Sequence, residues 1–327
     1  MYRGCLLYAS SLLILGAFYP RALSESTDGR FPSVAPPLSR QKRSNLDKNP
    51  DGTTFVWLLQ DSYEGKTFYD TFEFFNYSDP TNGAVTYVDR DHAFDKKLVY
   101  ITDDNKVIMK SDNTSWLAHG QFRESVRIQG RKHYHTGLFI LDLDKAPWGC
   151  GVWPAFWTIG EGQWPHAGEI DIFEGVHDNQ HNQVTWHTSP GCHLTPNATF
   201  TGSPVIMSGK QHTDCNGLLP GNPGCGIVEW SRASYGPLFD AQGGGVYAMK
   251  WDENGISVWS FFRAAVPQDI FDGSPNPSTW GPPVAFLHPA RCDPLKFFVN
   301  HSIIFDITFC GRFNELKIRL FEVLSYE

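Results

Sequence analysis

From residue 53 onward, short runs of alternating apolar and polar residues recur along the chain. Aromatic and β-branched residues fill these runs, and Gly, Pro, Asn and Asp separate them, which is the pattern of strands joined by turns. The pattern predicts strands at 53–59, 85–88, 98–102, 106–110, 126–129, 137–143, 182–188 and 255–263. Helical periodicity never lasts beyond a turn or two. Many short strands with regular turn signals predict an all-β sandwich or jelly roll.

The stretch 168–175, Gly-Glu-Ile-Asp-Ile-Phe-Glu-Gly, differs from the other predicted strands because three carboxylates stand among apolar residues. Successive side chains on a strand point to opposite faces, so Glu169 and Asp171 share one face. Strict alternation would place Glu174, five residues after Glu169, on the other face. One extra residue, a β-bulge at Ile172–Phe173, restores it to the shared face, and such bulges are common beside active sites.

Three carboxylates on one face of a strand repel one another, which points to a chemical use. A retaining glycosidase needs two carboxyl groups about 5–5.5 Å apart, one ionised and one protonated. Glu169 fits the ionised nucleophile, and Glu174 fits the acid/base, its pKa raised by the neighbouring charge and by burial. Asp171 then assists by holding the two pKa values apart. A solvated charged strand face is the alternative interpretation.

Three tryptophans, Trp153, Trp157 and Trp164, precede the acidic strand, and aromatic planes are the usual platform for sugar rings. The runs 153–160, Trp-Pro-Ala-Phe-Trp-Thr-Ile-Gly, and 168–175 resemble the signature of glycoside hydrolase family 16. They are most similar to its fungal endo-1,3(4)-β-glucanases, the laminarinase type. The bulged spacing of the carboxylates resembles these laminarinases rather than the unbulged lichenases.

The resemblance covers about residues 53–311 and implies a β-jelly-roll with a substrate cleft on its concave sheet. The activity it implies is that of a secreted retaining endo-1,3(4)-β-glucanase, with β-glucan as partner. The motif match places Arg127 and His187 in the cleft, where they would hold substrate with the three tryptophans. Trp259 lies on one face of its predicted strand, which either lines the cleft as a further sugar platform or packs between the sheets.

Two other functions remain open. A glucan transglycosylase would use the same chemistry, although the family's cell-wall transglycosylases mostly carry the unbulged motif. A non-catalytic β-glucan-recognition protein could use the same scaffold, but such proteins typically lose one or more of the carboxylates. The resemblance implies no redox or nucleotide cofactor. Some relatives carry a structural calcium, for which no ligands can be assigned from this sequence.

Residues 1–24 predict a secretory signal peptide: Arg3 precedes a 14-residue apolar stretch, and small residues at 22–24 offer a cleavage site. The apolar stretch is too short for a membrane anchor. Residues 25–50 are rich in proline and serine and predict a disordered leader or propeptide, with a dibasic processing site at Lys42–Arg43. The mature protein is therefore expected outside the cell and not in a membrane.

Composition adds to this interpretation. The 327 residues are 41% hydrophobic and 19% charged, which suits one large catalytic domain over residues 51–311, expected to be a monomer. The net charge is −8, and removal of residues 1–43, with six positive and two negative charges, would take it to −12. So acidic a protein is not expected to bind nucleic acid or anionic membranes.

Cysteine usage agrees with secretion. Besides Cys5, six cysteines remain, which allow up to three disulfides in fifteen pairings: Cys150, Cys192, Cys215, Cys225, Cys292 and Cys310. The absence of a C-x-x-C pair disfavours a metal site. Four glycosylation sequons point the same way: Asn76, Asn113, Asn197 and Asn300.

The family resemblance stops after Gly311. Residues 312–327 stand where family members continue into further loops and a closing strand, so we interpret this segment as an atypical, truncated tail. Loss of a sandwich strand would expose a sheet edge and part of the core, and is expected to lower stability.

Overall fold

The computed structural model describes residues 46–311, so the predicted signal peptide, most of the leader and the tail lie outside the described residues. The first ten strands are β1 (Asp47–Lys48), β2 (Thr54–Phe55), β3 (Phe72–Phe74), β4 (Val85–Tyr87), β5 (Val99–Ile101), β6 (Val107–Met109), β7 (Arg123–Ser125), β8 (Arg127–Tyr134), β9 (Gly137–Leu143) and β10 (Val152–Gly160). The next ten are β11 (Glu169–Glu174), β12 (Gln183–His187), β13 (Ser203–Pro204), β14 (Ile206–Met207), β15 (Lys210–Gln211), β16 (Cys225–Val228), β17 (Gly245–Asp252), β18 (Gly255–Phe262), β19 (Ala285–Leu287) and β20 (His301–Phe309).

Helices are short, as the weak helical periodicity predicts. They are α1 (Arg90–Asp95), α2 (Gly236–Ala241), α3 (Gln268–Phe271) and α4 (Pro294–Phe297), with 3-10 turns at Gly65–Thr71, Arg263–Ala265 and Pro277–Thr279. None of the helices in residues 46–311 has the length and apolar character that a membrane crossing requires.

The predicted all-β jelly-roll sandwich is confirmed. An eight-stranded sheet has the order β13-β16-β12-β11-β10-β20-β8-β3, and a four-stranded sheet has the order β19-β18-β17-β9. All strand pairs within these two sheets are antiparallel. The strand that carries the three carboxylates, β11, lies near the middle of the larger sheet. Its neighbours β10 and β12 come from adjacent stretches of sequence, whereas β20 reaches the centre from far along the chain.

The core lies between the two sheets. Phe173 of β11 packs on Tyr247 of β17 with ring centroids 4.9 Å apart, and Phe156 stacks on Phe305 at 4.8 Å. Burial of each such side chain stabilises the fold by roughly 1.5–3 kcal/mol. Alternation along the strands sends the remaining side chains of the larger sheet to its other face, which we call the cleft face. Asp171, Thr185 and Asp306 lie on it.

The predicted strands are present but mostly shorter than expected, since a strand ends where its partner ends. The range 53–59 forms only the two-residue β2, which pairs with β1 alone. The strand β1 lies within the range that the sequence assigns to the leader. Asp47 in β1 is fully buried, and its carboxylate accepts hydrogen bonds from the Trp57 indole N–H at 2.8 Å and the Ser278 backbone N–H at 3.0 Å.

Two of the expected disulfides form within residues 46–311. Cys192 pairs with Cys292 across 100 residues of chain, and Cys215 pairs with Cys225. Cys150 and Cys310 lie at neighbouring ends of β10 and β20, where the Cys310 N–H donates to the Gly151 carbonyl at 2.9 Å. Three of the four sequon asparagines are exposed, namely Asn76, Asn113 and Asn197, whereas Asn300 is half-buried.

Candidate active site

A β-bulge brings the third carboxylate to the cleft face. Along the β10–β11 pair, Trp157 lies opposite Asp171 and Phe156 lies opposite Phe173, which leaves Ile172 as an extra residue on β11. The bulge predicted from the spacing of the carboxylates is therefore confirmed. Glu174 then lies opposite Ala155, on the same face as Asp171.

The side chain of Asn182 holds this bulge in place. Pairing between β11 and β12 ends at Asp171 and Thr185, so the bulged backbone finds no partner there in the strand ladder. The Asn182 side-chain amide supplies both a hydrogen-bond acceptor and a donor to this backbone. Its Oδ1 accepts from the Glu174 N–H at 2.9 Å, and its Nδ2 donates to the Ile172 carbonyl at 3.1 Å. Asn182 is fully buried, and its own N–H donates to Ser234 Oγ at 2.9 Å. Sequence reasoning missed this residue.

Glycines bound the acidic strand at both ends because the backbone is closely approached there. Gly168 has a φ of +85°, and a Cβ at this position would lie 2.5 Å from the Phe297 carbonyl oxygen. A Cβ on Gly175 would lie 2.5 Å from the ring of Tyr235. These contacts account for the glycines on either side of the motif, since any larger residue would displace the strand.

Glu169 sits between an indole and an imidazole. Its Oε2 accepts from Trp164 Nε1 at 3.0 Å, and its Oε1 lies 3.7 Å from His187 Nε2. Burial, with the adjacent Asp171 carboxylate, raises the pKa of Glu169 to about 8, although His187 and the Trp164 hydrogen bond act in the opposite direction. Removal from water disfavours the charged form of Glu169, whereas the sequence predicts an ionised carboxylate at this position.

Asp171 is the more strongly buried neighbour of Glu169. Its Oδ2 lies 3.3 Å from His187 Nε2. Burial and the nearby Asp306 carboxylate raise the pKa of Asp171 well above its ordinary value. The shift is upward, as expected when several buried carboxyl groups share one site and disfavour one another's ionised forms.

Glu174 has a tryptophan partner of its own. Trp153 Nε1 donates to Glu174 Oε1 at 2.7 Å. Glu174 is 9% exposed, and with Asn182 at its backbone both ends of the residue are held. Trp153 and Trp164 stay partly exposed on either side of the carboxylates, so each has ring surface open to a ligand.

A fourth carboxylate, Asp306 of β20, lies on the cleft face and was also missed. Trp157 Nε1 donates to Asp306 Oδ1 at 2.7 Å, and the Tyr87 hydroxyl donates to Oδ2 at 3.2 Å. Burial raises the pKa of Asp306 to about 6, although the Arg127 charge lowers it. An acidic residue within the otherwise largely apolar run of β20 is the signal that could have identified it.

Arg127 lies opposite Asp306 of β20 and beside Trp157. Its guanidinium carbon is 4.9 Å from the Trp157 ring centroid and 4.6 Å from that of Phe75. Both Arg127 and Trp157 are less than 9% exposed. Trp157 is therefore a covered residue that orients Asp306, rather than an open sugar platform.

The expected cleft position of Trp259 is wrong. Trp259 lies on β18 in the four-stranded sheet, and its Nε1 donates to the Gly281 carbonyl at 3.0 Å. Its ring packs edge-on against Trp280 at 5.5 Å, under the loop that follows α3. The neighbouring residues Ile256 and Val258 face the core instead.

One group of side chains in the described residues has the spacing of metal ligands. Glu169, Asp171 and His187 each offer an atom, and these atoms lie within 4.8 Å of one another. Calcium takes six to eight oxygen ligands in proteins. One imidazole and two carboxyl groups are too few oxygen ligands for such an ion, so this group does not have the donor set of a calcium site.

Taken together, the geometry provides two glutamates on one face, each with an indole donor, and an aspartic acid between them. Carboxyl groups so arranged can supply a nucleophile and a general acid to a single bond. Partly exposed indoles beside them suit a ligand with flat apolar faces, such as a sugar ring.

Comparison with known proteins gives a consistent result. Residues 72–323 match the family model for the XgeA-like catalytic domain of glycoside hydrolase family 16. A probable glycosidase of Schizosaccharomyces pombe is 42% identical over 268 residues, covering 81% of this chain and 62% of that protein. The endo-1,3(4)-β-glucanase xgeA of Emericella nidulans is 39% identical over 257 residues, covering 78% of this chain. The chain spans only 40% of that second relative.

Two solved structures match over most of their length. Laminarinase 16A of Phanerochaete chrysosporium, with β-glucans (6-O-glucosyl-laminaritriose) in its donor and acceptor sites, is 40% identical with a TM-score of 0.74. That match covers 80% of this chain and 87% of the laminarinase. An elongating family 16 β-1,3-glucosyltransferase is also 40% identical, with a TM-score of 0.71, covering 77% of this chain and 82% of the transferase.

Proposed function

Because the chain belongs to glycoside hydrolase family 16, we propose that it is a secreted endo-1,3(4)-β-glucanase that hydrolyses β-1,3-glucan and mixed-linkage β-glucan with retention of configuration. The observation that carries this proposal is the bulge at Ile172, which puts Glu174 on the same face as Glu169 and Asp171. Relatives named endo-1,3(4)-β-glucanase support the substrate class. The predicted signal peptide supports secretion.

In the first step Glu169 attacks the anomeric carbon and forms a covalent glycosyl ester. The glycosidic C–O bond breaks, and Glu174 gives its proton to the departing sugar oxygen. In the second step Glu174 takes a proton from water, the water oxygen attacks the anomeric carbon, and the ester bond breaks. Both glutamates return to their starting states, as double displacement requires.

The groups around Glu169 act on its ionisation in opposite directions, and His187 and Trp164 are the ones that favour its charged form. Burial and Asp306 raise the pKa of Asp171 and so disfavour its anion. A neutral Asp171 repels the Glu169 carboxylate less than an anion would. His187, 3.7 Å from Glu169, and the Trp164 N–H then favour the ionised nucleophile.

The partly exposed indoles of Trp153 and Trp164 are the proposed contacts for the sugar rings on either side of the reacting bond. Each indole also donates to one of the two glutamates. Each of these two tryptophans would therefore both contact the substrate and orient one of the glutamates. Trp157 holds Asp306 through its indole N–H, and Arg127 packs against the Trp157 ring.

Glucan transfer is the second candidate, and the matched glucosyltransferase favours it specifically. Transfer uses the same glycosyl ester but delivers it to a sugar hydroxyl instead of water. A non-catalytic recognition protein is disfavoured because all the carboxylates are present and oriented.

Product analysis on laminarin, barley glucan and cellulose separates these functions. Hydrolysis is expected to release reducing ends from laminarin and barley glucan, none from cellulose, and no products longer than the substrate. Accumulation of elongated oligosaccharides would show a transferase. Binding to glucan without bond cleavage would show a recognition protein.

A further inference from the structure

Trp230 is a large apolar residue that stands out in solvent. It follows β16 by two residues and is 70% exposed. Exposure on this scale leaves an aromatic face open to a ligand that has apolar faces of its own.

The strand pattern directs Trp230 to the cleft face. The ladder between β12 and β16 continues one residue past Val228, because the Glu229 N–H donates to the Asn182 carbonyl at 2.9 Å. Glu229 itself points into the core, where its carboxylate accepts from Ser260 Oγ of the other sheet. Alternation therefore puts Val228 and Trp230 on the opposite face, the one that carries the catalytic carboxyl groups.

The ring is also held in position. Trp230 Nε1 donates to Ser203 Oγ of the edge strand β13 at 3.0 Å. Ser203 lies opposite Val228, and Val228 lies opposite Gln183, so these three residues form a row across three strands. The row starts beside the bulge, since Gln183 follows the Asn182 that binds the Glu174 N–H.

From these contacts we propose that Trp230 is an outlying platform for a glucosyl unit of a bound β-glucan chain. The inference rests on the proposed function and extends its site. Strand spacing puts the edge of this row two to three strands from β11, or roughly 10–14 Å. A short oligosaccharide at the carboxyl groups would not reach that far, whereas a longer chain lying across the strands would cover the indole.

The expected effect depends on chain length. Covering one face of the ring corresponds to about a tenfold gain in affinity, taken from the apolar area removed from water. We therefore expect Trp230→Ala to raise KM for long β-1,3-glucan chains about tenfold relative to KM for the shortest oligosaccharide cleaved. Trp230→Phe keeps a flat ring and should retain most of the long-chain preference. Ser203→Ala removes the hydrogen-bond partner of the Trp230 indole N–H, so KM for long chains should rise by less than it does in Trp230→Ala.

The test measures kcat/KM over a series of laminari-oligosaccharides and laminarin for these variants. Phe262→Ala removes an aromatic side chain at the end of β18 on the other sheet, where 39% is exposed, and serves as the matched control. A parallel series measures binding of the same sugars to the inactive Glu174→Gln protein, with and without Trp230→Ala.

A loss of kcat/KM in Trp230→Ala that grows with the length of the glucan chain supports the role of Trp230 as a platform. An equal loss at every length, or none at any length, overturns it while the proposed hydrolysis still stands. If the unaltered protein cleaves no glucan, the proposed function fails by itself. The binding series on Glu174→Gln then still decides whether Trp230 contacts long chains.

Discussion

Asn182 offers a sharp perturbation of the proposed acid/base residue, because its side-chain hydrogen bonds within residues 46–311 go to the bulge. Asn182→Ala removes the partner of the Glu174 N–H and of the Ile172 carbonyl, both in a buried position. Each buried backbone group left without a partner costs about 1–3 kcal/mol. The free energy of unfolding should therefore fall by roughly 2–6 kcal/mol.

Asn182→Ala should also lower activity, because the bulge and with it Glu174 would no longer be fixed by hydrogen bonds to residue 182. A displacement of a catalytic group by about 1 Å can lower the rate about 100-fold, and we expect a loss of this order in kcat on laminarin. The loss should shrink on an aryl glycoside whose leaving group needs no proton. In the Glu174→Ala background, Asn182→Ala should have little further effect on the first step.

Asn276→Ala is the matched control for a purely structural effect. Asn276 is 5% exposed, and its Nδ2 donates to the Leu46 carbonyl at 3.1 Å, away from the acidic strand. This control should lose stability but keep the same ratio of rates on laminarin and on the activated glycoside. Equal ratios for Asn182→Ala and the unaltered protein, or full additivity with Glu174→Ala, would refute the assigned role of Asn182.

Two further predictions concern titration. The acid limb of the kcat/KM profile follows ionisation of Glu169, whose raised pKa puts that limb above the ordinary carboxyl range. Because His187 lowers this pKa and Asp171 raises it, His187→Gln should move the limb to higher pH and Asp171→Asn should move it to lower pH. Shifts of the same sign for the two variants would contradict this assignment. Burial raises the pKa of Glu229 from 4.5 to about 7, so the folded state binds its proton more tightly and loses stability as pH rises through 4.5 to 7. Glu229→Gln should therefore raise the unfolding free energy at pH 8 by about 3 kcal/mol, with little gain at pH 4, measured by denaturant unfolding at each pH.

Local sequence carried most of the information on the acidic strand. Alternation with one inserted residue sufficed to predict that Glu169, Asp171 and Glu174 share a face, because all three lie on one strand. Alternation grouped His187 with Gln183 and Thr185 on one face of β12, and the resemblance to the family motif indicated that this face lines the cleft. The sandwich class followed from the lengths and spacing of the apolar runs.

Residues that reach the site from distant parts of the chain could not be predicted from local alternation. Asp306 joins the site because β20 pairs with β10, and no local pattern specifies which strands become neighbours. Asn182 acts through side-chain hydrogen bonds to a bulge, which leaves no periodic signal. Both faces of β18 are largely apolar, so its pattern could not show that Trp259 lies beneath a loop of the smaller sheet rather than in the cleft.

Azide rescue tests the separate roles of the two glutamates most directly. With Glu174→Ala and an activated aryl β-glycoside, the ester on Glu169 still forms, and azide should replace it to yield the β-glycosyl azide. With Glu169→Ala, azide should attack in place of the missing carboxylate and yield the α-glycosyl azide. These two anomers, identified by proton NMR of the products, are the expected result; the opposite pair would show that the nucleophile and the acid/base are exchanged.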